Sequence, residues 1–247
     1  MTHFLVTPDS AFVVYRADQA DDQTFELFRV PIGGGATVAL TVALPADRAV
    51  QADFVLSPDG QSVYFRANPA GAGRNELFRV PADGSAAPAV LSGTLVAGGS
   101  VDSFALTPDG TRLAYIADGR VDGVKELWSV PTTGGTPLLL HTMPAAGDVD
   151  TLRIAPDSLS VFHRADALSD AVQELFVVPL DGSGPARRLN ATLPSGADVE
   201  NDFVALAAGR VVFRADQEEV NVLELFTAFP GSRGAMQAPT PTRSVVR

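Results

Sequence analysis

The chain of 247 residues contains no cysteine, and Lys125 is its only lysine. Without cysteine the protein cannot form disulfides or thiolate metal sites, although cysteine-free chains occur in every compartment. No stretch approaches the roughly 18 consecutive apolar residues of a membrane-spanning helix, so we expect no membrane insertion. No basic segment followed by an apolar run comes after Met1, and the sequence therefore predicts no signal peptide.

Positive charge is also scarce. Lysine and arginine together number 18 against 29 acidic residues, for a formal net charge of −11. Nucleic acids and anionic lipid surfaces bind concentrated positive charge, so this balance argues against both as partners. A protein or peptide is the partner that we expect.

What the sequence does contain is a repeat of about fifty residues. One column of the self-alignment holds an aromatic or leucine residue, and a second column holds a glutamate. The first column is Phe4, Phe54, Phe104, Leu152 and Phe203. The second is Glu26, Glu76, Glu126, Glu174 and Glu224. Self-similarity at a fixed period in this range indicates a repeat architecture, here with five units.

Each unit has the pattern of four short strands. In the second unit "FVLSP" begins at residue 54, a Pro-Asp-Gly turn follows, and "SVYFR" forms the next strand. After an eight-residue loop, "ELFRVP" is rich in β-forming residues and ends at a proline. The fourth strand is weakly marked by a leucine column. A sandwich has no reason to repeat at this interval, whereas a propeller does, because every four-stranded blade packs against its neighbours.

These motifs resemble a known family. The segments "FVLSPDGQSVYFRA" with "ELFRVPADG", and "FALTPDGTRLAYIAD" with "ELWSVPTTGG", are similar to the blade repeat of TolB-like β-propellers over about residues 4 to 234. The resemblance implies a docking or binding scaffold, often in the bacterial envelope, and sometimes a regulatory partner of a hydrolase domain. A periplasmic or cell-surface location follows as an expectation.

The predicted fold is therefore an all-β propeller of about five four-stranded antiparallel blades, the last of them incomplete. The propeller should occupy residues 1–234, with repeats at about 4–53, 54–103, 104–151, 152–202 and 203–234. Residues 235–247 are predicted to be a disordered tail or a poor closing strand. The fifth unit lacks the Pro-Asp pair, so an arc of a larger ring is the alternative.

Two charged columns lie around the central hairpin of each unit. An arginine ends the second strand in four units, and the glutamate column opens the third, which predicts an ion-paired strut between them. In the third unit Ile116 replaces the arginine, so Glu126 needs another partner.

The loop between these strands carries acids at a spacing that resembles a worn calcium loop, most closely at Asp118, Asp122 and Glu126. Asp-nucleated turns are the simpler interpretation. Calcium is the one cofactor that the sequence leaves open, and otherwise it predicts none.

Further acids precede the first strands, which line the channel of a propeller. They are Asp53, Asp102, Asp150, Glu200 and Asp202. A set of acids at the channel mouth would favour a cation or a basic segment of a partner. Strand-end acids in contact with solvent are the alternative.

Catalytic motifs are missing. The sequence has no G-x-S-x-G elbow, no H-E-x-x-H motif and no phosphate-binding loop. His3, His141 and His163 fall in packing or surface columns and are not expected to cluster. The favoured function is thus a non-catalytic binding or protein-interaction scaffold, without catalytic residues. One alternative is a propeller hydrolase or lyase that uses the channel-mouth carboxylates with a metal, and the other is a structural fragment of a larger bacterial surface protein.

Overall fold

The computed structural model describes residues 3–41, 49–68, 73–206 and 209–229. Every regular element in these ranges is a β-strand. The described residues contain no helix long and apolar enough to span a membrane. The strands form five antiparallel sheets in chain order, which we call the first to the fifth blade.

The first blade comprises β1 (His3–Val6), β2 (Phe12–Asp21), β3 (Thr24–Pro31) and β4 (Val38–Ala39). The second comprises β5 (Val55–Leu56), β6 (Ser62–Ala67), β7 (Glu76–Pro81) and β8 (Ala89–Val90). The third comprises β9 (Val101–Leu106), β10 (Arg112–Ala117), β11 (Glu126–Pro131) and β12 (Leu138–His141). The fourth comprises β13 (Val149–Ile154), β14 (Ser160–Ala165), β15 (Glu174–Pro179) and β16 (Arg187–Arg188). The fifth comprises β17 (Val204–Ala205), β18 (Val211–Ala215) and β19 (Glu224–Ala228).

The protein is therefore a β-propeller, as the sequence predicts. Four blades have four strands and the last has three in the described residues. The five-sheet repeat from which the resemblance to TolB-like propellers was inferred is present in the structure. The predicted tail of residues 235–247 lies outside the described residues, and the predicted domain limits stay a prediction.

The first turn of a blade is built by a side-chain network. In the second blade the Ser57 hydroxyl donates to Asp59 Oδ1, which also accepts the backbone N–H of Gln61 at 2.9 Å. These two hydrogen bonds, the hydroxyl first, lower the pKa of Asp59. Gly60 has a φ of 71° at the centre of the turn, where a side chain would be strained. Asp59 is thus a structural residue of the turn.

The loop between the second and third strands also repeats its geometry. The fifth residue after the opening Asp or Asn has a positive φ in every blade. These residues are Gln23, Gly73, Gly123, Ala171 and Asn221. In the last three blades the backbone N–H of this residue donates to the opening aspartate at 2.8–3.2 Å. Short polar side chains that accept from a nearby N–H are typical of such turns, so the prediction of Asp-nucleated turns is confirmed here.

A pair of rings packs between the second and third strands of each blade. Their centroids lie 5.5–6.4 Å apart, within the range of favourable ring contacts. The pairs are Tyr15 with Phe28, Phe65 with Phe78, Tyr115 with Trp128, His163 with Phe176, and Phe213 with Phe226. The repeated aromatic columns of the sequence therefore form the core.

The chain divides into two compact units. One contains Met1–Val101 and Val130–Pro137, and the other contains Asp102–Ser129 and Leu138–Arg247. Each unit has its own buried apolar clusters, one in the first and two in the second. The features that carry chemistry lie in the second unit.

Candidate functional site

Four of the five predicted channel-mouth acids are held in ion pairs. Arg66 pairs with Asp53 at 2.7 Å, Lys125 with Asp102 at 3.3 Å, and Arg214 with Asp202 at 2.8 Å. Arg164 pairs with Asp150. Glu200 lies beside them in sequence, and no described cation is within ion-pairing distance of it. Each of the four aspartates is therefore compensated by a cation of its own blade.

This arrangement corrects the predicted arginine–glutamate strut. Across the hairpin of the second blade, Arg66 is opposite Leu77, and Glu76 is opposite Ala67. Successive residues of a strand point to opposite faces of the sheet, so Arg66 and Glu76 lie on different faces. Arg66 instead contacts Asp53, and its Nη1 donates to the carbonyl of Val101 at 2.9 Å.

The fourth blade repeats the correction. Arg164 binds Asp150 and donates to the carbonyl of Val199 at 2.7 Å. Glu174, on the other face, accepts from Arg188 at 2.8 Å. The arginine thus ties the start of its own blade to the strand segment that follows, and the strut hypothesis is wrong in this blade as well.

Two of the acids border a cleft in the second unit. The cleft has a volume of about 710 Å³ and is formed by β9, β13 and the residues that precede β17. Its lining is Ser103 to Leu106, Pro108, Asp150 to Ile154, Asn201 and Asp202. This is the size of a small-molecule or short-polymer site, and polar side chains stand among apolar ones, as in such sites. Asp53 and Asp102 are not among the lining residues.

The two carboxylates of the cleft differ in their free hydrogen-bonding capacity. The Nε of Arg164 donates to both oxygens of Asp150, at 3.1 Å to Oδ1 and at 2.9 Å to Oδ2. Arg214 contacts only Oδ2 of Asp202, through Nε at 2.8 Å and Nη2 at 2.8 Å. Oδ1 of Asp202 therefore has lone pairs for another group, and this side chain is about half exposed, at 49%.

The predicted calcium loop does not bring its three carboxylates together. Arg120, inside the loop, forms a bidentate ion pair with Glu126 at 2.6 and 3.0 Å. Asp118 accepts the N–H of Gly123 at 3.1 Å, and Asp122 is exposed. The described residues contain no group of three or more potential metal-ligating side chains. In the blade where Ile116 replaces the arginine, the partner of Glu126 is therefore Arg120. Calcium binding itself stays a prediction.

Two histidines that were not expected to cluster form a buried pair. His141 Nδ1 lies 2.7 Å from His163 Nε2, and both rings pack on Phe176. Burial lowers the pKa of His141 to about 4, and it holds the pKa of the fully buried His163 well below its ordinary value. The prediction that the histidines are separate is therefore wrong. The residues lie in different blades, on β12 and β14, so no local pattern indicated the contact.

One residue of the cleft was missed by the sequence analysis. Arg153 on β13 is exposed and lines the cleft. Its counterparts in the other blades are apolar, namely Leu5, Val55, Ala105 and Val204. The signal was present in the repeat, as a single charge in a column of apolar residues.

Comparison with known proteins gives likeness of structure only. The sequence matches no family model and no curated protein. Among solved structures, a puromycin-hydrolysing peptidase of Mycobacterium tuberculosis has a TM-score of 0.61 and 20% identity, over 92% of this chain and 36% of its own. A prolyl endopeptidase has a TM-score of 0.63 and 14% identity, over 98% of this chain and 36% of its own. An oligogalacturonate lyase, solved with manganese, has a TM-score of 0.60 and 16% identity, over 91% of this chain and 61% of its own.

TolB of Acinetobacter baumannii is also among the similar structures, with a TM-score of 0.46 and 15% identity over 92% of this chain and 52% of its own. The chain spans about a third of each peptidase and less than two thirds of the lyase. At these identities the comparisons show the fold.

The neighbours nevertheless correct the predicted function. The fold and the missing catalytic motifs predicted a non-catalytic scaffold and no enzyme. Three similar structures with TM-scores of 0.60 or more are two peptidases and a lyase, so that prediction is contradicted. One fold can host many functions, so the propeller fold alone does not indicate a non-catalytic scaffold. The alternative, a propeller hydrolase or lyase, agrees better with these findings.

Proposed function

We propose that this propeller works in a bond-cleaving enzyme, a lyase or a hydrolase, and that the cleft between β9, β13 and Asp202 binds its substrate. The observation that carries the proposal is the geometry of Asp202. Arg214 fixes one oxygen of this carboxylate and leaves Oδ1 directed to no described group. A carboxylate held in place with one free oxygen is suited to accept a proton from a bound substrate.

Elimination is the reaction that these residues support best. Asp202 Oδ1 would take the proton from a carbon next to a carbonyl group. The electrons of that C–H bond then form a C=C bond, the C–O bond to the leaving group breaks, and the departing oxygen is protonated by solvent. Among the similar structures named above, the chain also covers more of the lyase, 61% of its length, than of either peptidase, 36%.

Asp150 has a positioning role in this proposal. Both of its oxygens are engaged by Arg164, which also holds the carbonyl of Val199. The pair thereby fixes β13 against the segment that leads to Asp202. Asp150 shapes the cleft and accepts no proton.

The manganese of the similar lyase does not fit the residues of this cleft. Its lining offers two carboxylates, both in ion pairs with arginine, and no histidine. Hard divalent cations gather several oxygen ligands from unpaired carboxylates, carbonyls and water. No step is therefore assigned to a metal, and the proposal departs here from the metal-dependent alternative of the sequence analysis.

Activity of the chain towards oligogalacturonate tests the proposal. The unsaturated product of elimination is followed by its ultraviolet absorbance. Asp202→Asn should lower the rate by about 100-fold or more, because the amide cannot accept the proton. Asp53→Asn is the matched control, since Asp53 has the same kind of arginine pair and does not line the cleft. Wild-type protein without activity, or D202N with wild-type activity, refutes elimination by Asp202.

Peptide hydrolysis is the second candidate, because two of the similar structures are peptidases. The cleft would then bind a peptide, and the hydrolytic groups would lie outside the described residues. This role agrees with the expectation of a protein or peptide partner. Release of a fluorescent amine from short peptide substrates, compared with elimination in the same samples, separates the two candidates.

A further inference from the structure

Arg153 is a cation of the cleft that is not committed to a carboxylate. Arg66, Arg120, Arg164, Arg188 and Arg214 are each ion-paired. Arg153 has no carboxylate within ion-pairing distance in the described parts of the chain. Its Nη1 donates to the adjacent carbonyl of Leu152 at 2.8 Å, and its other N–H groups remain available.

The position of the guanidinium is partly fixed. In addition to the Leu152 hydrogen bond, its central carbon lies 5.7 Å from the ring centroid of Phe203, which is within cation–π range. Phe203 is buried, at 2% exposure, and forms part of an apolar cluster. Arg153 is therefore presented to the cleft from a rigid support, which reduces the entropy that a ligand must remove.

The local charge of the cleft favours an anion. Asp150 and Asp202 are neutralised by Arg164 and Arg214, so the charge that remains among the lining residues is that of Arg153. The chain as a whole has a formal net charge of −11. At this position of the repeat the other four blades have apolar residues, so the blade architecture does not require the charge of Arg153.

We propose that Arg153 binds a carboxylate of the substrate, so that the cleft selects acidic substrates over neutral ones. A planar guanidinium presents paired N–H donors that match a carboxylate, and the pair is strengthened by its charge. The carboxylate belongs to a uronate unit of an oligosaccharide or to the free end of a peptide. The inference rests on the proposed function, because it assigns the substrate class of the same cleft. Removing a proton next to a carboxylate also requires that this charge be compensated, which Arg153 would do.

Calorimetric titration with two pairs of probes tests the inference. The first pair is trigalacturonate and its fully methyl-esterified form. The second is an acetylated tripeptide with a free carboxyl terminus and the same tripeptide with a terminal amide. For one pair, the acid should bind about tenfold more tightly or better than its neutral form, and added salt should weaken the preference. The pair that shows the preference identifies the source of the carboxylate.

Three variants locate the effect. Arg153→Gln should remove the preference for the acid, and Arg153→Lys should retain part of it, because lysine keeps the charge and loses the paired geometry. Arg187→Gln is the control, since Arg187 is exposed on β16, outside the cleft, and its loss changes the net charge equally. Equal binding of acid and neutral forms, a preference that survives in R153Q, or binding of neither acid would each overturn the inference.

The outcome can be separated from that of the proposed function. D202N should bind the acid as the wild type does, because Asp202 acts on the proton and not on the carboxylate. Cleavage that depends on Asp202 without any preference for the acid refutes the role of Arg153 alone. A preference for the acid in a wild-type protein that cleaves neither substrate refutes the proposed function alone.

Discussion

The pair of His141 and His163 should make the stability of the protein depend on pH between 7 and 5. Burial lowers the pKa of His141 to about 4 in the folded protein, and it holds the pKa of His163 well below its ordinary value. In the unfolded chain both return to about 6.5. As the pH falls through 6.5, the unfolded chain therefore takes up protons that the folded chain refuses, and the folded state loses stability.

The magnitude follows from the two pKa values. For one histidine with an unfolded pKa of about 6.5 and a folded pKa of about 4, the free energy of unfolding falls by about 2 kcal/mol from pH 7 to pH 5. Burial lowers the pKa of His163 too, so this residue adds to the loss in the same direction, and the whole fall is about 2 kcal/mol or more. This is a large share of the stability of an ordinary domain, about 5–15 kcal/mol. The aspartates of the turns, whose pKa values are lowered, lose their contribution only below about pH 4 and do not obscure the effect.

The perturbation is the double variant H141V/H163F. Other blades carry Phe65 and Phe213 at the position of His163, and apolar or small residues at the position of His141. The replacements therefore fit the repeat, and Phe at 163 can stack on Phe176 as the other aromatic pairs do. At pH 7 the stability should change by less than about 1.5 kcal/mol.

Urea unfolding at pH 7, 6 and 5 measures the effect. The single tryptophan, Trp128, reports on the same compact unit and is half-buried against Tyr115. The wild type should lose about 2 kcal/mol or more over this range, while the double variant should stay nearly constant. His3→Gln removes the remaining histidine and should keep the wild-type pH dependence. A double variant that loses stability as steeply as the wild type would refute the reasoning.

Two further predictions concern stability. Ala171 has a φ of 58° where two other blades have glycine, so Ala171→Gly should raise the free energy of unfolding by about 0.5–1 kcal/mol. The control is Ala146→Gly, at an exposed alanine without a positive φ, which should lower the free energy of unfolding. Arg120→Ala should lower it by about 2 kcal/mol, because the buried Glu126 carboxylate loses its bidentate partner. Urea unfolding followed by tryptophan fluorescence checks both, and unchanged stability in either variant contradicts the assignment.

The fold could be predicted because its signals are local. The strand Glu76–Pro81 is one continuous run of β-forming residues that ends at a proline. The turn at Asp59 is formed by hydrogen bonds between near neighbours in sequence. Fivefold repetition made each weak signal stronger. The strands two and three of every blade, and the weak fourth strands, follow directly from these patterns.

The pairing of the charges could not be predicted with the same certainty. The predicted contact of Arg66 with Glu76 is wrong because register differs by one residue across the hairpin, and one residue reverses the face of a sheet. Contacts between blades are harder still. His141 and His163 are 22 residues apart on separate sheets, and nothing in either strand specifies the other.

The candidate site depends on position more than on residue type. The pairs Arg66 with Asp53 and Arg214 with Asp202 have nearly the same length, 2.7 and 2.8 Å, and arise from the same columns of the repeat. Of Asp53 and Asp202, only Asp202 borders the cleft, which Arg153 also lines. An arginine–aspartate pair that the second, fourth and fifth blades all form can therefore gain a chemical role in one blade by a single substitution nearby. For this reason D53N and D202N should have similar effects on stability, within about 0.5 kcal/mol of each other, and very different effects on cleavage.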